Sequence, residues 1–425
     1  THIMPNRVDN LLEWIETSNG LPCIYFAFSR SRCEELANSI IDKSFLTKEE
    51  SSRILKYYDE LLVNFNLTNE RTAAIMREPV SRGIAYHHAG LLPTLKEVVE
   101  RLFTSRLLKV IFTTETFALG INMPARSVIF DELRKRYGEY FAGLRVRDFN
   151  QMAGRAGRRG IDDCGFVYSR VNPHMIGLEE IRKMVFGDPE RVTSQFNSSY
   201  ATILHLYKKY KEKLYDIYPS SFHFYQANPN KRSDAIDLFR QKVRLLKEMN
   251  YINEFGLTNK GRFASEIYGY ELPIAELYHS GHLSGLSPTA LSVLIGSLIY
   301  EPRKNQDEPT LSKMAKELKY IAVENAKKIS NMERKFRIKT FSKIPYFHVS
   351  NAIEEFMKNK KFSELFKITP IDEGELVKIF RAIIQILREI RYSPIAPPEL
   401  KNTSLKAIEG LNRDVIDAEK ELRYS

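Results

Sequence analysis

QMAGRAGRRG, residues 151–160, sets three arginines and three glycines behind a single glutamine. If Asp148 caps a helix that enters this stretch, Gln151, Arg155 and Arg158 fall at i, i+4 and i+7, on one helical face. Ala153, Gly154, Ala156 and Gly157 would leave the adjoining face nearly bare, so the helix could lie close to another backbone or to a ligand. Gly160 suits a left-handed stop. In this reading the decamer is a rack holding one amide and two guanidiniums in line, and a guanidinium fork matches phosphate oxygens better than an ammonium does. The alternative is a helix C-terminus that gathers cations to complement its dipole.

The stretch before it bears on that choice. TTETFALGINMPARSVIF, residues 113–130, reads as a strand, a threonine-rich turn through Gly120, Asn122 and Pro124, and a second strand. Backbone amides and hydroxyls at the end of a parallel strand line the crevice where open α/β sheets bind ligands. Thr113, Thr114 and Thr116 could donate to phosphate oxygens there without adding charge, although threonine is also simply a good strand residue. Further apolar, β-rich runs lie at 23–28, 83–88, 108–114, 127–132 and 165–170, with helical patterns at 29–40 and 93–103 and a polar helical insertion at 41–80. That alternation predicts a parallel α/β sheet. After about residue 176 the pattern is helical almost throughout, with long amphipathic runs at 235–252, 375–390 and 405–422 and linkers at 226–233 and 302–309.

Bulk properties set the frame. A chain of 425 residues is too long for one core and implies several domains. Sixty-four Lys and Arg against 53 Asp and Glu give a formal charge of +11, which suits a polyanionic partner. Cys23, Cys33 and Cys164 show no metal-ligand spacing and read as free thiols of an intracellular protein, cytoplasmic or nuclear. No apolar run reaches the roughly 18 residues of a membrane helix, so no membrane role is expected. The opening Thr1 to Met4 has the look of a cloning remnant ahead of Pro5.

Together the two stretches resemble motifs V and VI of the second RecA-like domain of superfamily 2 helicases, close to the superkiller-type, RNA-exosome-associated branch of the DExH class. IYFAFSRSRCEELA (24–37) and AYHHAGLLPTLKEVVERLF (85–103) are similar to that family's strand motifs, in the right order. The resemblance implies roles. Arg158 would be the arginine finger stabilising charge on the transferred phosphoryl group, with Arg155 and Gln151 facing the γ-phosphate and the attacking water, and Gly120 and Asn122 bordering the nucleotide. Phe28, Ser29, Arg30, His88, Gly90, Thr113, Thr114 and Thr116 would lie toward the nucleic-acid backbone, unless His88 is merely a satisfied buried histidine. More loosely, VTSQFNSSYATILHLYK with FHFYQ (192–226) is similar to the start of the branch's winged-helix domain, and 243–267 and 369–390 are similar to its C-terminal helical domain. The expected architecture is an α/β RecA-like parallel-sheet domain at 5–176, a winged-helix-like segment at 177–228 and a helical domain at 229–425.

Two departures matter. Nothing between Gln226 and residue 235 is long enough for the family's β-barrel arch, and no G-x-x-x-x-G-K-[ST] loop or D-E-x-[DH] carboxylate pair occurs. ATP and Mg²⁺ are therefore expected to be bound mainly by a P-loop RecA-like domain outside this chain, supplied in cis or in trans, and this chain alone is expected to be inactive. The resulting expectation is the C-terminal portion of an ATP-dependent, 3′–5′ helicase acting on single-stranded nucleic acid, RNA in preference to DNA, in an RNA-processing complex. The rivals are a binding module that turns over no ATP and a DNA helicase of the same superfamily. A Rossmann-type oxidoreductase is disfavoured, because no G-x-G-x-x-G follows the first strand and no acidic residue is placed to hold a ribose.

Overall fold

The computed structural model describes residues 7–118, 123–138, 140–194, 199–226, 228, 232–303, 306–339 and 342–417. Gly120, Asn122, Thr1 to Met4 and parts of both expected linkers lie outside the described residues. The chain divides into two compact units, the first Thr1–Arg191 with Asp372–Glu375 and the second Val192–Ile371 with Leu376–Asp417.

The first unit runs α1 (Val8–Thr17), β1 (Cys23–Phe26), α2 (Arg30–Ser39), α3 (Lys48–Asn64), α4 (Arg71–Ser81), β2 (Ile84–His87), α5 (Pro93–Thr104), β3 (Val110–Thr113), β4 (Ser127–Phe130), β5 (Arg134–Tyr137), β6 (Tyr140–Gly143), α6 (Val146–Ala153), β7 (Phe166–Ser169) and α7 (Leu178–Phe186). Five strands form a parallel sheet in the order β2-β3-β1-β4-β7. Four strands, the edge strand β2 and the inner β3, β1 and β4, are buried along their whole length, as expected of a sheet covered on both faces, and Tyr25, Phe26, Phe112 and Phe130 fill its middle. At the edge, β7 leaves Phe166 and Val167 36% and 41% exposed. Helix starts follow local chemistry. Ser29 caps α2 by accepting from Arg32 N, Thr47 and Glu50 form a capping box on α3, and Pro93 occupies the first turn of α5.

Sequence reasoning missed β5 and β6, an antiparallel hairpin joined through Gly138 at φ +64°. The unit also extends through Arg191, past the expected boundary at 176, because α7 packs against α6.

The second unit is helical apart from one short hairpin. It contains α8 (Tyr200–Tyr210), α9 (Leu214–Ile217), α10 (Phe222–Gln226), α11 (Arg232–Glu248), β8 (Ile252–Asn253), β9 (Gly256–Leu257), α12 (Asn259–Glu266), α13 (Glu271–His279), α14 (Pro288–Ile299), α15 (Lys313–Lys335), α16 (Ser350–Met357), most of α17 (Glu373–Tyr392) and α18 (Pro398–Leu411). The β8–β9 hairpin packs with α8, α11 and α12. A buried carboxylate, Glu276, accepts from Tyr251 Oη at 2.8 Å and Lys328 Nζ at 3.0 Å and pairs with Lys260. Burial opposes its ionisation, but the Lys260 contact and the other donors outweigh that and hold the carboxyl below its ordinary value. The run expected as a helix over 405–422 instead begins at Pro398 and stops at Leu411, where Asn412 caps it and Asp414 turns left-handed at φ +51°. Among the described residues no helix is long and apolar enough to cross a membrane.

Candidate nucleotide and nucleic-acid site

The decamer does not form one helical face. α6 ends at Ala153, with Gly154 as its cap, and Arg155 already lies in a turn. Ala156 then pairs with Ala125 in a parallel bridge, in which Ala125 N donates to Arg155 O at 2.9 Å and Gly157 N donates to Ala125 O at 2.7 Å. A helix cannot continue there because the backbone is spent on a neighbouring segment, and Gly157 at φ +90° makes the bend that any side chain would resist. The same pass explains Gly165: a Cβ on it would sit 2.3 Å from Ala156 C and 2.4 Å from Gly157 N. Arg155 and Arg158 are therefore placed by a bridge and a turn, and the rack expected from their spacing is corrected accordingly. Gly160 is left-handed at φ +75°, but within the later turn and not as the stop of α6.

Asp148 is not the helix cap either. It sits inside the first turn of α6, accepts from Tyr137 Oη at 2.9 Å and pairs with Lys135 at 2.9 Å, which ties the hairpin to the helix. Lys135 also pairs with Glu115 in the turn after β3. The free amides at the helix start are met by Glu190, whose carboxylate accepts from Val146 N at 2.8 Å and Arg147 N at 3.0 Å. No local sequence signal announces a cap supplied from over forty residues away.

The arginines differ in what they touch. Arg155 Nη2 donates to Ala118 O at the end of the turn that follows β3, while its buried Nε has no hydrogen-bond partner among the described residues. Arg158 makes a two-point fork to Asp162, Nε to Oδ2 and Nη2 to Oδ1, both at 2.7 Å, and its backbone N donates to Oδ2 at 3.0 Å. The hydrogen bond from the Arg158 side chain holds the Asp162 carboxyl down at about 2. Gln151 is exposed on the last turn of α6.

The residues expected to face nucleic acid separate into two groups. Thr114 and Thr116 share a hydroxyl contact at 2.9 Å, with Thr116 exposed, and Phe28 and Ser29 are half-buried and exposed at the start of α2. Arg30 is held by two carboxylates of the same unit, Asp372 at 2.6 Å and Glu375 at 2.9 Å. The others point inward. Thr113 is fully buried and donates to His87 O at 2.7 Å, so its hydroxyl closes a gap in the sheet and faces no solvent. His88 is 2% exposed, with Nε2 on Glu34 at 2.9 Å and Nδ1 accepting from Gly90 N at 3.1 Å, which is the satisfied buried histidine of the two readings. Gly90 is buried beside it.

A second charged cluster, which no sequence motif announces, closes the tops of β1, β4 and β7. Asp131, at the end of β4, accepts from Tyr25 Oη at 2.8 Å and Arg32 Nε at 2.8 Å and pairs with Arg170. Burial opposes its charge, but the Arg32 and Tyr25 hydrogen bonds prevail and its carboxyl lies below the ordinary value. Its signal in the sequence is only an acid directly after an apolar strand.

This geometry fits the phosphate end of a nucleotide: one guanidinium with an unpartnered buried Nε, one braced guanidinium, and hydroxyls at an adjacent strand end. Among the described residues no three His, Cys, Asp or Glu side chains gather as metal ligands. The five-stranded parallel sheet is RecA-like.

Comparison with known proteins gives two domain matches. The helicase conserved C-terminal domain matches residues 54–160, and the DSHCT (NUC185) domain matches residues 254–419. Superkiller complex protein 2 of Homo sapiens is 34% identical over 272 residues, 64% of this chain and 22% of that protein. Antiviral helicase SKI2 of Saccharomyces cerevisiae is 37% identical over 198 residues, 46% of this chain and 15% of that protein. Exosome RNA helicase MTR4 of Mus musculus is 36% identical over 207 residues, 48% of this chain and 20% of that protein. The chain is thus similar to Ski2-like DExH helicases across both of these domains, and its matches span between 15% and 22% of these relatives' lengths.

Proposed function

We propose that this chain is the C-terminal portion of an ATP-dependent RNA helicase, in which it supplies the arginine finger, Arg158, and part of the strand channel. The P-loop domain that cradles ATP and holds Mg²⁺ lies outside these 425 residues. The observation that carries this reading is the bridge between Ala125 and Ala156, which clamps the segment leading into β4 to the arginine turn. Backbone contacts of this kind fix two loops against each other before any ligand arrives, as phosphate recognition requires. Gly120 and Asn122 complete the nucleotide border, and Phe28, Ser29, Thr114 and Thr116 face the nucleic-acid backbone.

ATP would bridge the two RecA-like domains, and closure around it would move the single strand. Arg158 offers donors to the charge developing on the transferred phosphoryl group, Arg155 holds the neighbouring turn and faces the γ-phosphate, and Gln151 orients the attacking water. The names of the relatives, an antiviral helicase and an exosome RNA helicase among them, favour RNA as substrate and an RNA-processing complex as setting. Translocation runs 3′–5′. The winged-helix-like segment and the helical domain follow the RecA-like unit.

The test is strand displacement by this chain assembled with a polypeptide that carries the P-loop domain. ATP-dependent unwinding of an RNA duplex with a 3′ single-stranded tail, and not a 5′ tail, is expected. Equal unwinding from both tails, or a clear preference for matched DNA, overturns the polarity or the substrate. The rival, a module that binds without turnover, is favoured by the absent P-loop motif and predicts RNA binding with no unwinding in the mixture.

A further inference from the structure

Asp162 lies two residues beyond the arginine-glycine decamer, yet it makes the most complete contact in the site. Arg158 has five N–H donors, and Asp162 takes two of them in a parallel fork, at 2.7 Å each. The turn between the two residues is closed at its backbone as well, by Arg158 N on Asp162 Oδ2 at 3.0 Å and Asp162 N on Arg158 O at 3.0 Å. Arg126 Nη1 stands 3.4 Å from the same carboxylate. The Asp162 side chain is 1% exposed, whereas that of Arg158 is 16% exposed. The carboxylate is therefore sealed behind the guanidinium, and Nη1 with the remaining Nη2 proton forms the part of the fork left to meet a ligand.

We infer that Asp162 is a positioning residue for Arg158: by holding Nε and Nη2 it aims the open edge of the guanidinium at the phosphoryl group before that group arrives. This rests on the reading of Arg158 as the finger. An unbraced arginine must give up rotamer freedom each time it engages phosphate. A buried carboxylate that has already fixed the outer torsions removes most of that loss from the chemical step. The effect then falls on kcat, because the contact is made to charge that develops in the transition state. A lysine could not take this place, since a single ammonium cannot occupy both the carboxylate fork and the phosphate.

The experiment compares Asp162→Asn, Arg158→Ala and the double variant in the assembly of this chain with the P-loop polypeptide, reading kcat and KM for ATP. Asn keeps the size and one acceptor oxygen but turns its amide against the guanidinium. Asp162→Asn is expected to lower kcat about 10- to 100-fold with KM changed less than about threefold, since misplacing a positioned group costs factors of that order. On the Arg158→Ala background it is expected to lower kcat no further, because its effect passes through the missing side chain. In this chain alone, the Arg158 Nε–H resonance is expected to exchange slowly with water and to lose that protection in Asp162→Asn. Arg158→Lys, which keeps the charge and the backbone turn, serves where Asp162→Asn does not fold, and is expected to lose kcat as deeply. Unchanged or raised kcat in Asp162→Asn, a loss that adds to that of Arg158→Ala, or wild-type kcat in Arg158→Lys would each overturn the inference. If Arg158→Ala leaves hydrolysis intact, the finger itself fails, and the positioning role falls with it.

Discussion

Gly165→Ala puts the architecture of the site under direct strain. A Cβ at residue 165 would sit 2.3 Å from Ala156 C, 2.4 Å from Gly157 N and 2.6 Å from Ala156 O, all of them backbone atoms. No side chain can swing away to relieve the clash, so the start of β7 and the arginine turn must separate by about 1 Å to restore ordinary contact. Overpacking of this kind costs about 1–3 kcal/mol. The separation also stretches the bonds of the Ala125–Ala156 bridge, at 2.7 and 2.9 Å, worth about 1 kcal/mol each. The total is about 2–4 kcal/mol, and for a unit of this size that lowers the melting temperature by about 5–12 °C. Gly160→Ala is the internal control, since φ is +75° but nothing lies within 4 Å, and left-handed strain alone costs about 1 kcal/mol. Thermal unfolding followed by circular dichroism gives both numbers. If Gly165→Ala melts within about 2 °C of the parent, or no lower than Gly160→Ala, then the close pass between residues 156–157 and 165 does not exist as described.

Three further outcomes are expected. Asp131→Ala removes the buried carboxylate shared by Arg32, Arg170 and the Tyr25 hydroxyl, so denaturant unfolding should show a loss of about 3–5 kcal/mol. Asp162 titrates at about 2 in the folded chain against 3.8 ordinarily, so its stabilising contribution is present above about pH 3.8 and is lost as pH falls through about 2. The stability gap between the parent and Asp162→Asn should therefore shrink over that window, and a gap that widens on acidification contradicts the ion pair. RNA binding should weaken as salt rises, the logarithm of affinity falling linearly with that of salt concentration, and a flat response between low and moderate salt would rule out contacts dominated by phosphate.

The sheet was legible because its inner strands are buried along both faces and therefore read as short apolar runs between polar helices, as CIYF, VIFT and SVIF do. The site was legible as composition and not as geometry. Gln151, Arg155 and Arg158 keep helical spacing, but spacing carries no information about whether the backbone is free to form a helix, and here Ala156 is committed to Ala125. Asp148 had the right residue type for a cap, yet Glu190, far along the chain, reaches the helix start first. The hairpin was missed because Arg134–Tyr137 is mostly charged and Tyr140–Gly143 is short and part-exposed, so neither shows a clear apolar-polar alternation. Thr113 was assigned outward from its neighbours, whereas the pleat alternates direction at every residue and turns its hydroxyl onto His87.

The central claim is that the arginine turn acts on a phosphate that another domain brings. Its most direct measurement is RNA-stimulated ATP hydrolysis by three preparations: this chain alone, this chain with a polypeptide supplying the P-loop domain, and the same mixture carrying Arg158→Ala. Hydrolysis is expected only in the second, with the third reduced about 10³-fold or more, the order an arginine finger contributes. Hydrolysis by the chain alone, or a mixture in which Arg158→Ala is as active as the parent, would contradict it.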